Sequence, residues 1–491
     1  MNPSAPSLAR PPQSFGLSYV DVSASGVRLS EVLAGLSYAL DLTEGQREGH
    51  SVRSCLIGMR IGEVLGISEE ERSSLFYALL MKDLGCSSNA ARFAAIFAAN
   101  DHDLKINLKM IDWSKAVESF RFVASNVAPG AFWLRRVWQM LAVFARGPAG
   151  AREVLLTRCE RGADIAKLLG FTRDTVDAIR AIDEHWDGRG QPYGLKGDQI
   201  PFLGRIVGLA QTMEVFFTQY GVLAAYDMVT ERHGSWFDPD VADALLSVPS
   251  EAAFWRQLRE GDPLNLIATI EPPDRVLTAD EACLDLVAEA FAKVIDAKSP
   301  WTYQHSNGVA DIAVAIGRSL GFSPPQLREI RRAGLLHDLG KLGVSNLILD
   351  KPGKLTDDEL AVMRRHPLYT RDILGRVGCF RHLAGVAAAH HERLDARGYD
   401  LGLAGASLPM SAKVLCVADI CDALRASRPY RAGLPTERIL DIMGREVGSG
   451  LDPECFCALK DLLVGAPIPS STNAPAVQLI AALSEDYYQA A

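Results

Sequence analysis

Several features that mark membrane, secreted or nucleic-acid-binding proteins are missing from this 491-residue chain. No apolar run reaches the roughly 18 residues that a membrane span needs. The first residues, MNPSAPSLARPPQSFG, have no apolar segment of the kind found in a secretory signal. Residues 1–13 are rich in proline and serine, and we expect them to be disordered. The chain is therefore predicted to be a soluble cytoplasmic protein with no membrane partner.

A surplus of positive charge is also missing, because 51 basic residues face 60 acidic ones and the net charge is −9. This balance argues against a DNA or RNA duplex as partner. It leaves room for a local basic pocket, since net charge describes only the whole surface. The nine cysteines form no CxxC pair, and their number is odd. This usage is typical of small buried apolar residues in a reducing compartment.

The pattern that is present is helical almost throughout. Segments such as EVLAGLSYALDL and SVRSCLIGMRIGEVLG place apolar residues at i, i+3, i+4 and i+7, the spacing of one helix face. Two helix starts are readable, at Ser323 before two prolines and at Thr356, which has Glu359 three residues later. No convincing strand pair is visible, and an all-α fold is predicted.

An internal repeat organises the chain. The segment EHWDGRGQPYGLKGDQIPFLGRIVGLAQTMEVF, from Glu184, aligns without a gap with ERLDARGYDLGLAGASLPMSAKVLCVADICDAL, from Glu392. Upstream, His50 and Lys82 are 32 residues apart, as are His305 and His337. We therefore expect two copies of one helical domain, at 14–258 and 279–491, joined by a proline-containing linker at 259–278. The first copy carries an extra, partly apolar stretch at about 87–152, which we expect to be covered by packing of the copies against each other.

Histidine and aspartate are concentrated in the second copy. Six of the ten histidines lie between residues 301 and 400. The residues of interest there are His305, His337, Asp338, His366, His390, His391 and, further on, Asp419. A lone buried histidine is more often an ordinary hydrogen-bonded core residue, and His382 is interpreted as such or as a surface residue. A set of this size among apolar neighbours instead indicates a divalent metal site.

Neighbouring ligands and nearby cations indicate phosphoryl chemistry. Adjacent helical residues diverge by about 100°, so the pairs His337-Asp338 and His390-His391 can each serve two metals. Two metals about 3.5–4 Å apart can activate a water and hold a phosphoryl group. Lys341, Arg428 and Arg431 lie close in sequence to these segments. Most such residues are solvated surface charges, but here they are interpreted as phosphate-binding groups.

As a set, these motifs resemble the HD-GYP branch of the HD phosphohydrolase superfamily. The matching segments are HS at 305, HDLGK at 337–341, HP at 366, HHERLDARGYD at 390–400, VADICDAL at 417–424 and RPYR at 428–431. The resemblance implies tandem all-α HD-domain helical bundles. It also implies a phosphodiesterase that uses iron or manganese to hydrolyse cyclic di-GMP or 3′,3′-cyclic GMP-AMP.

The resemblance assigns roles residue by residue. The implied metal ligands are His305, His337, Asp338, His366, His390, His391 and Asp419, and the implied phosphate-binding residues are Lys341, Arg428 and Arg431. The implied mechanism is attack by a metal-bridging hydroxide on phosphorus, with Asp338 and Lys341 as catalytic residues and Lys341 helping to protonate the leaving oxygen.

The second copy departs from the family pattern in two places. The three-metal subgroup has glutamate where this chain has Trp301, so two divalent ions are predicted. The signature triplet reads Gly398-Tyr399-Asp400, and Ala396 replaces a usual glycine. These changes put the loop shape and the nucleotide preference in question.

The first copy is predicted to be degenerate. It keeps His50 and Asp83, but Lys82 stands where the second copy has His337, and Gln211 stands where it has Asp419. We expect a structural or regulatory role for this copy in preference to a vestigial ligand pocket. Two alternatives to the leading function stay open: a weakly active cyclic-dinucleotide sensor or scaffold, and a phosphohydrolase of other nucleotides. A homodimer or a signalling-protein partner fits any of these readings.

Overall fold

The computed structural model describes residues 27–113, 115–272, 277–302, 304–426 and 433–465, and it confirms the all-α prediction. The helices of the first half are α1 Leu29–Thr43, α2 His50–Leu65, α3 Glu69–Met81, α4 Ala90–Phe97, α5 Asp101–Met110, α6 Ala116–Asn126, α7 Trp133–Leu168, α8 Arg173–Arg180, α9 Phe202–Tyr220, α10 Val222–Arg232 and α11 Pro239–Leu246. Helix α7 is broken at Gly147, whose φ of 57° and ψ of −163° are not helical.

The second half continues the helical architecture. Its helices are α12 Ala253–Glu260, α13 Pro263–Ile270, α14 Glu281–Asp296, α15 His305–Ser319, α16 Pro324–Leu336, α17 Asn346–Leu349, α18 Asp357–Met363, α19 His366–Arg376, α20 Ala384–Ala388, α21 Met410–Arg425, α22 Thr436–Gly444 and α23 Pro453–Gly465. Within the described residues, the strands are limited to β1 Val27–Arg28 and β2 Thr278–Ala279. Short 3-10 helices at Cys86–Asn89, Leu339–Gly343 and Ala389–His391 complete the parts that concern the site.

Two helices begin at the capping residues that the sequence predicts. Ser323 caps α16 in a capping box with Gln326, and Thr356 caps α18 in a capping box with Glu359. Each box satisfies backbone N–H groups that the first helical turn leaves without a partner. The segment expected to be a linker, 259–278, contains the short helix α13. Asp262 caps this helix, and a proline occupies its first turn, where no N–H is needed.

The internal repeat is visible as pairs of equivalent contacts. In the first copy, Asp41 accepts hydrogen bonds from the backbone N–H and the hydroxyl of Ser51, at 3.0 and 2.7 Å. In the second copy, Asp296 accepts the same two bonds from Ser306, at 3.3 and 2.6 Å. Each pair ties the end of one helix to the helix that begins with the first histidine of its copy.

A second equivalent contact shapes the loop after the histidine pair. Glu392 accepts backbone hydrogen bonds from Leu401 and Leu403, at 2.8 and 2.9 Å. In the first copy, Glu184 accepts them from Tyr193 and Leu195, at 2.7 and 2.8 Å. A buried glutamate thus holds the same loop in both copies.

The first helix of each copy packs against the other copy. Helix α1 contacts α19 and the 3-10 helix Leu339–Gly343, while α14 contacts α7 and the 3-10 helix Cys86–Asn89. Gly35 permits this approach, since a Cβ there would lie 2.8 Å from a methyl of Val377. The strands β1 and β2, which precede these two helices, pair antiparallel. One apolar core therefore runs through α1, α14 and both copies.

The extra stretch of the first copy is only partly covered. Its Asp101 is fully buried and accepts hydrogen bonds from Lys298, Ser345 and the backbone of Asn346, at 2.8–2.9 Å. Its large apolar side chains on α7 remain largely exposed, Trp138 at 73%. The expectation that packing of the copies covers this stretch is therefore wrong for α7.

Long apolar helices and disulfides are both absent from what the structure describes. None of the helices in the described ranges is long and apolar enough to cross a membrane. All nine cysteines lie in described residues and are unpaired, and six of them are buried.

Candidate metal centre

Five separate elements bring the predicted ligands together. His305 begins α15, His337 and Asp338 directly follow α16, and His366 begins α19. His390 and His391 lie on the 3-10 helix Ala389–His391, and Asp419 lies inside α21. All seven side chains converge on one buried cluster, in which three overlapping groups of three have ligand atoms within 4.8 Å of one another.

The backbone orients the buried imidazoles. Nδ1 of His337 donates to the carbonyl of Gly334 at 2.7 Å, and Nδ1 of His366 donates to that of Met363 at 2.8 Å. His390 does the same toward Ala387 at 2.6 Å. With Nδ1 occupied in this way, Nε2 carries the lone pair and points into the cluster. This is the arrangement found behind metal-binding histidines.

Asp338 lies between two groups of histidines. One of its oxygens, Oδ2, is 3.3 Å from Nε2 of His337 and 3.7 Å from Nε2 of His305. The other, Oδ1, is 3.5 Å from Nε2 of His366 and 3.7 Å from Nε2 of His390. The two oxygens of one carboxylate thus face two different groups of histidines.

Unsatisfied atoms at the centre show that the cluster fits a cation. Nε2 of His337 and Oδ1 of Asp338 are buried and have no hydrogen-bond partner. Nε2 of His366 lies 3.1 Å from Nε2 of His390, although Nδ1 of each ring is already donating to a carbonyl. Buried lone pairs that face one another are unfavourable unless a positive charge lies between them. The donor set of imidazole and carboxylate suits iron, manganese or zinc.

The pKa values of the cluster's histidines shift in different directions. Burial lowers the pKa of His366 to about 3 and that of His390 to about 4, so both rings are neutral near pH 7 and able to bind metal. Burial also acts to lower the pKa of His305, but hydrogen bonds to Asp419 and Asp422 outweigh it and raise this pKa to about 10. The carboxylates therefore concentrate negative charge on the side of the cluster that His305 faces.

Lys341 lies at the accessible edge of the cluster. Its Nζ donates to Oδ2 of Asp338 at 2.6 Å, and its side chain is 21% exposed. Burial acts to raise the pKa of Asp338, but His337 and Lys341 outweigh it and hold this pKa well below its usual range. His391 shares this edge, where its ring stacks on Tyr399 with centroids 4.5 Å apart. The predicted phosphate-binding residues Arg428 and Arg431 lie outside the described residues.

Two supporting residues were missed by the sequence reasoning. Oδ2 of Asp422 accepts from Nδ1 of His305 at 2.8 Å, which fixes the ring with Nε2 toward Asp419. The signal was present, because Asp422 follows Asp419 by three residues and shares its helix face. Thr370 donates to the carbonyl of His337 at 2.9 Å and accepts from the backbone of Gly340. No residue spacing in the sequence predicts the contacts of Thr370.

The loop at 396–400, whose sequence differs from the family's signature, has an unusual backbone conformation. Asp400, in the position of the family's proline, has a φ of 99°, whereas a proline ring fixes φ near −65°. Ala396, in the position of a usual glycine, has a φ of 59°. The equivalent residue in the first copy is Gly188, with a φ of 83°. The loop therefore has a backbone conformation that the Gly-Tyr-Pro sequence does not permit.

In the first copy, a lysine occupies the equivalent cluster. Nζ of Lys82 lies 2.9 Å from Nε2 of His50 and forms a buried ion pair with Asp83. Nδ1 of His50 contacts Glu214, just as Nδ1 of His305 contacts Asp422. The histidine and its carboxylate partner are thus retained, and the ammonium group supplies the positive charge at their centre.

Comparisons with known proteins agree with this geometry. The family model described as HD domain matches residues 151–241 and 289–455. The chain is 40% identical over 444 residues to the 3′3′-cGAMP-specific phosphodiesterase 3 of Vibrio cholerae, covering 90% of this chain and 96% of that protein. It is 36% identical over 171 residues to the cyclic di-GMP phosphodiesterase response regulator RpfG of Xanthomonas campestris, covering 34% of this chain and 45% of that protein. The crystal structure of a cyclic GMP-AMP specific phosphodiesterase of V. cholerae (V-cGAP3) superposes with a TM-score of 0.62 at 36% identity, over 90% of this chain and 99% of that one.

Proposed function

The chain belongs to the HD domain family, and we propose that it is a metal-dependent phosphodiesterase that hydrolyses a cyclic dinucleotide, with 3′,3′-cyclic GMP-AMP as the preferred substrate. The observation that carries the proposal is the buried cluster around Asp338, whose two oxygens face separate histidine groups. The substrate preference rests on the extent of similarity. The relative named for cyclic GMP-AMP aligns over 90% of this chain, whereas the named cyclic di-GMP phosphodiesterases align over less than half of it.

The cluster is proposed to hold two divalent ions, iron or manganese. One set of ligands would be His305, His337, Asp338 and Asp419, and the other Asp338, His366, His390 and His391. Trp301, in the position of the glutamate of three-metal relatives, offers no carboxylate for a third ion. Bound there, such ions supply an activated water and offset the charge on the phosphoryl group.

The protein's own groups position the substrate and move a proton. Hydrolysis adds water across one P–O bond, so phosphorus gains the hydroxyl oxygen and the leaving ribose oxygen gains a proton. Lys341, partly exposed beside Asp338, is proposed to donate to a phosphoryl oxygen and to protonate the leaving oxygen. Arg428 and Arg431 are proposed to bind the flanking phosphate. Asp422 holds His305 in the orientation that its ligand role requires.

An anaerobic hydrolysis panel tests the proposal. The purified chain, loaded with Fe(II) or Mn(II), is given 3′,3′-cyclic GMP-AMP, cyclic di-GMP and cyclic di-AMP. We expect cleavage of cyclic GMP-AMP at the highest kcat/KM, no cleavage after treatment with a chelator, and loss of both metal content and activity in Asp338→Ala. Asp441→Ala is the matched control, because Asp441 is exposed and, among the described residues, its ion pairs are with Arg438 and Arg445.

Other results would replace the proposal. Tight binding of a cyclic dinucleotide without turnover at full metal occupancy would indicate a sensor. Cleavage of simple nucleotides with no cyclic dinucleotide cleaved would indicate a phosphohydrolase of a different substrate class. Activity and metal content unchanged in Asp338→Ala would place the chemistry elsewhere.

A further inference from the structure

The first copy contains a cavity of about 510 Å³ beside its degenerate cluster. Its inner wall includes Arg158, Asp183 and Gln211, which occupy positions equivalent to ones at or next to the metal centre of the second copy. Its outer wall is formed by the extra stretch, through side chains such as Phe97 and Trp113. The extra stretch thus encloses the face of the first copy that corresponds to the catalytic face of the second. The volume lies within the roughly 300–1,000 Å³ of small-molecule sites.

The walls of the cavity are mainly apolar and include several aromatic rings. His185 stacks on Trp236 with ring centroids 3.9 Å apart, and Trp113 lies 4.7 Å from the same imidazole. Phe97 and Phe122, which also line the cavity, form an edge-to-face pair with centroids 5.6 Å apart. Such surfaces favour a planar ring system.

Polar atoms without a hydrogen-bond partner line part of the cavity. Nδ1 of His185, Oε1 of Gln191 and Oε1 of Gln211 are all buried without a hydrogen bond, and all three side chains line the cavity. His185 and Gln211 are at least nine-tenths buried. Three unsatisfied buried groups are costly unless something in the cavity binds them.

The charges of the lining argue against an anion. Arg158 pairs with Asp183 at 3.1 Å, and Arg205 pairs with Asp238 at 2.9 Å. Lys109, a third cation of the lining, pairs with Glu44 at 2.7 Å. These three cations are thus already neutralised, and Arg146, which also lines the cavity, is exposed to solvent, so a buried phosphate group would gain no unpaired buried cation.

We infer that this cavity is a binding site for a neutral, planar heteroaromatic molecule that carries N–H and C=O groups along one edge. The N–H groups of such a ligand donate to the amide oxygens of Gln191 and Gln211, and its carbonyl accepts from the unpartnered Nδ1–H of His185. Its rings fill the space between Trp113 and the phenylalanines. The site is distinct from the proposed catalytic cluster, and its occupation requires no metal.

Two matched probes test the site in the full-length chain. Carbostyril is a neutral bicyclic lactam with N–H and C=O on one edge, and naphthalene is the same bicyclic shape without them. We expect saturable binding of one carbostyril per chain by isothermal titration calorimetry, with quenching of tryptophan fluorescence, and at least tenfold weaker binding of naphthalene.

Three variants make the test specific. Leu155 lines the cavity, whereas its neighbour Leu156 is exposed and does not. Leu155→Trp is expected to weaken carbostyril binding at least tenfold, while Leu156→Trp leaves it within twofold of the parent. Gln211→Leu is expected to weaken carbostyril at least fivefold without weakening naphthalene, and to leave the melting temperature unchanged or higher, because it removes an unsatisfied buried oxygen.

Three results would overturn the proposed binding site. The first is no saturable binding of carbostyril to the parent chain up to the solubility of the probe, and the second is equal carbostyril affinity of the two tryptophan variants. Equal affinity for the two probes, with no effect of Gln211→Leu, would refute recognition through a polar edge.

Discussion

Replacing Lys82 by methionine removes the positive charge from the degenerate cluster and keeps most of the side-chain volume. The Lys82 side chain is completely buried, contacts His50 at 2.9 Å and forms an ion pair with the equally buried Asp83. Burial acts to raise the pKa of Asp83, but the lysine outweighs it and holds this pKa well below its usual range. In the Lys82→Met variant, keeping Asp83 ionised therefore lowers the free energy of unfolding substantially.

The size of the effect follows from that burial. Removing one partner of a buried ion pair destabilises a protein by about 3–5 kcal/mol. A guanidinium nitrogen of Arg158 remains 4.0 Å from Asp83, so we expect the lower end, about 3 kcal/mol. With an unfolding entropy of ~2.1 cal/mol/K per residue, this lowers Tm by ~3 °C if the whole chain unfolds together and by ~6 °C if the first copy unfolds alone.

Thermal unfolding of four proteins tests this reasoning. The parent, Lys82→Met, Lys82→Met combined with Asp83→Asn, and the exposed control Lys354→Met are compared by differential scanning calorimetry. The double variant is expected to regain most of the lost stability, because a neutral amide no longer needs a counter-charge. The reasoning is refuted if Lys82→Met melts within 1 °C of Lys354→Met, or if the double variant is no more stable than the single one.

Three further outcomes are expected. Asp422→Asn lowers metal affinity or kcat/KM about 10–100-fold, as the loss of a group that orients a ligand does, while the exposed Asp441→Asn leaves both unchanged. Asp101→Asn lowers Tm at pH 7, and the Tm difference from the parent shrinks below about pH 4. Burial acts to raise the pKa of Asp101, but Lys298 outweighs it and lowers this pKa in the folded state. The stabilising charge of Asp101 is therefore present above the pKa of the unfolded state and is lost as the pH falls through the pKa of the folded state. Ala396→Gly raises the free energy of unfolding in urea by about 1 kcal/mol, because φ is 59° at this position. Ala361→Gly, on the exposed face of α18, lowers the free energy of unfolding by about the same amount. A change of the same sign in both variants would refute the strain at Ala396.

The helical class and the repeat were readable from the chain because both depend on local order. Apolar residues at helical spacing predict helices whatever they later pack against, and the capping boxes at Ser323 and Thr356 need only residues three apart. The candidate ligands were identifiable for a related reason, since five histidines and two aspartates in one domain of apolar neighbours form a set too large to be ordinary core residues. The helix inside 259–278 was missed because three prolines suggested a loop, although one of them begins the helix at Pro263.

The sequence by itself thus determined the all-α class, the two copies and the candidate ligands, because each is a property of residue type and spacing. Only the tertiary structure decided that the carboxylate of Asp338 lies between two histidine groups, since those groups come from elements far apart in the chain. Only it decided that α1 and α14 each pack on the opposite copy, and that the extra stretch encloses a cavity instead of being buried itself. Such contacts depend on which surfaces meet once all the helices compete for the same apolar partners, and no local pattern records that choice.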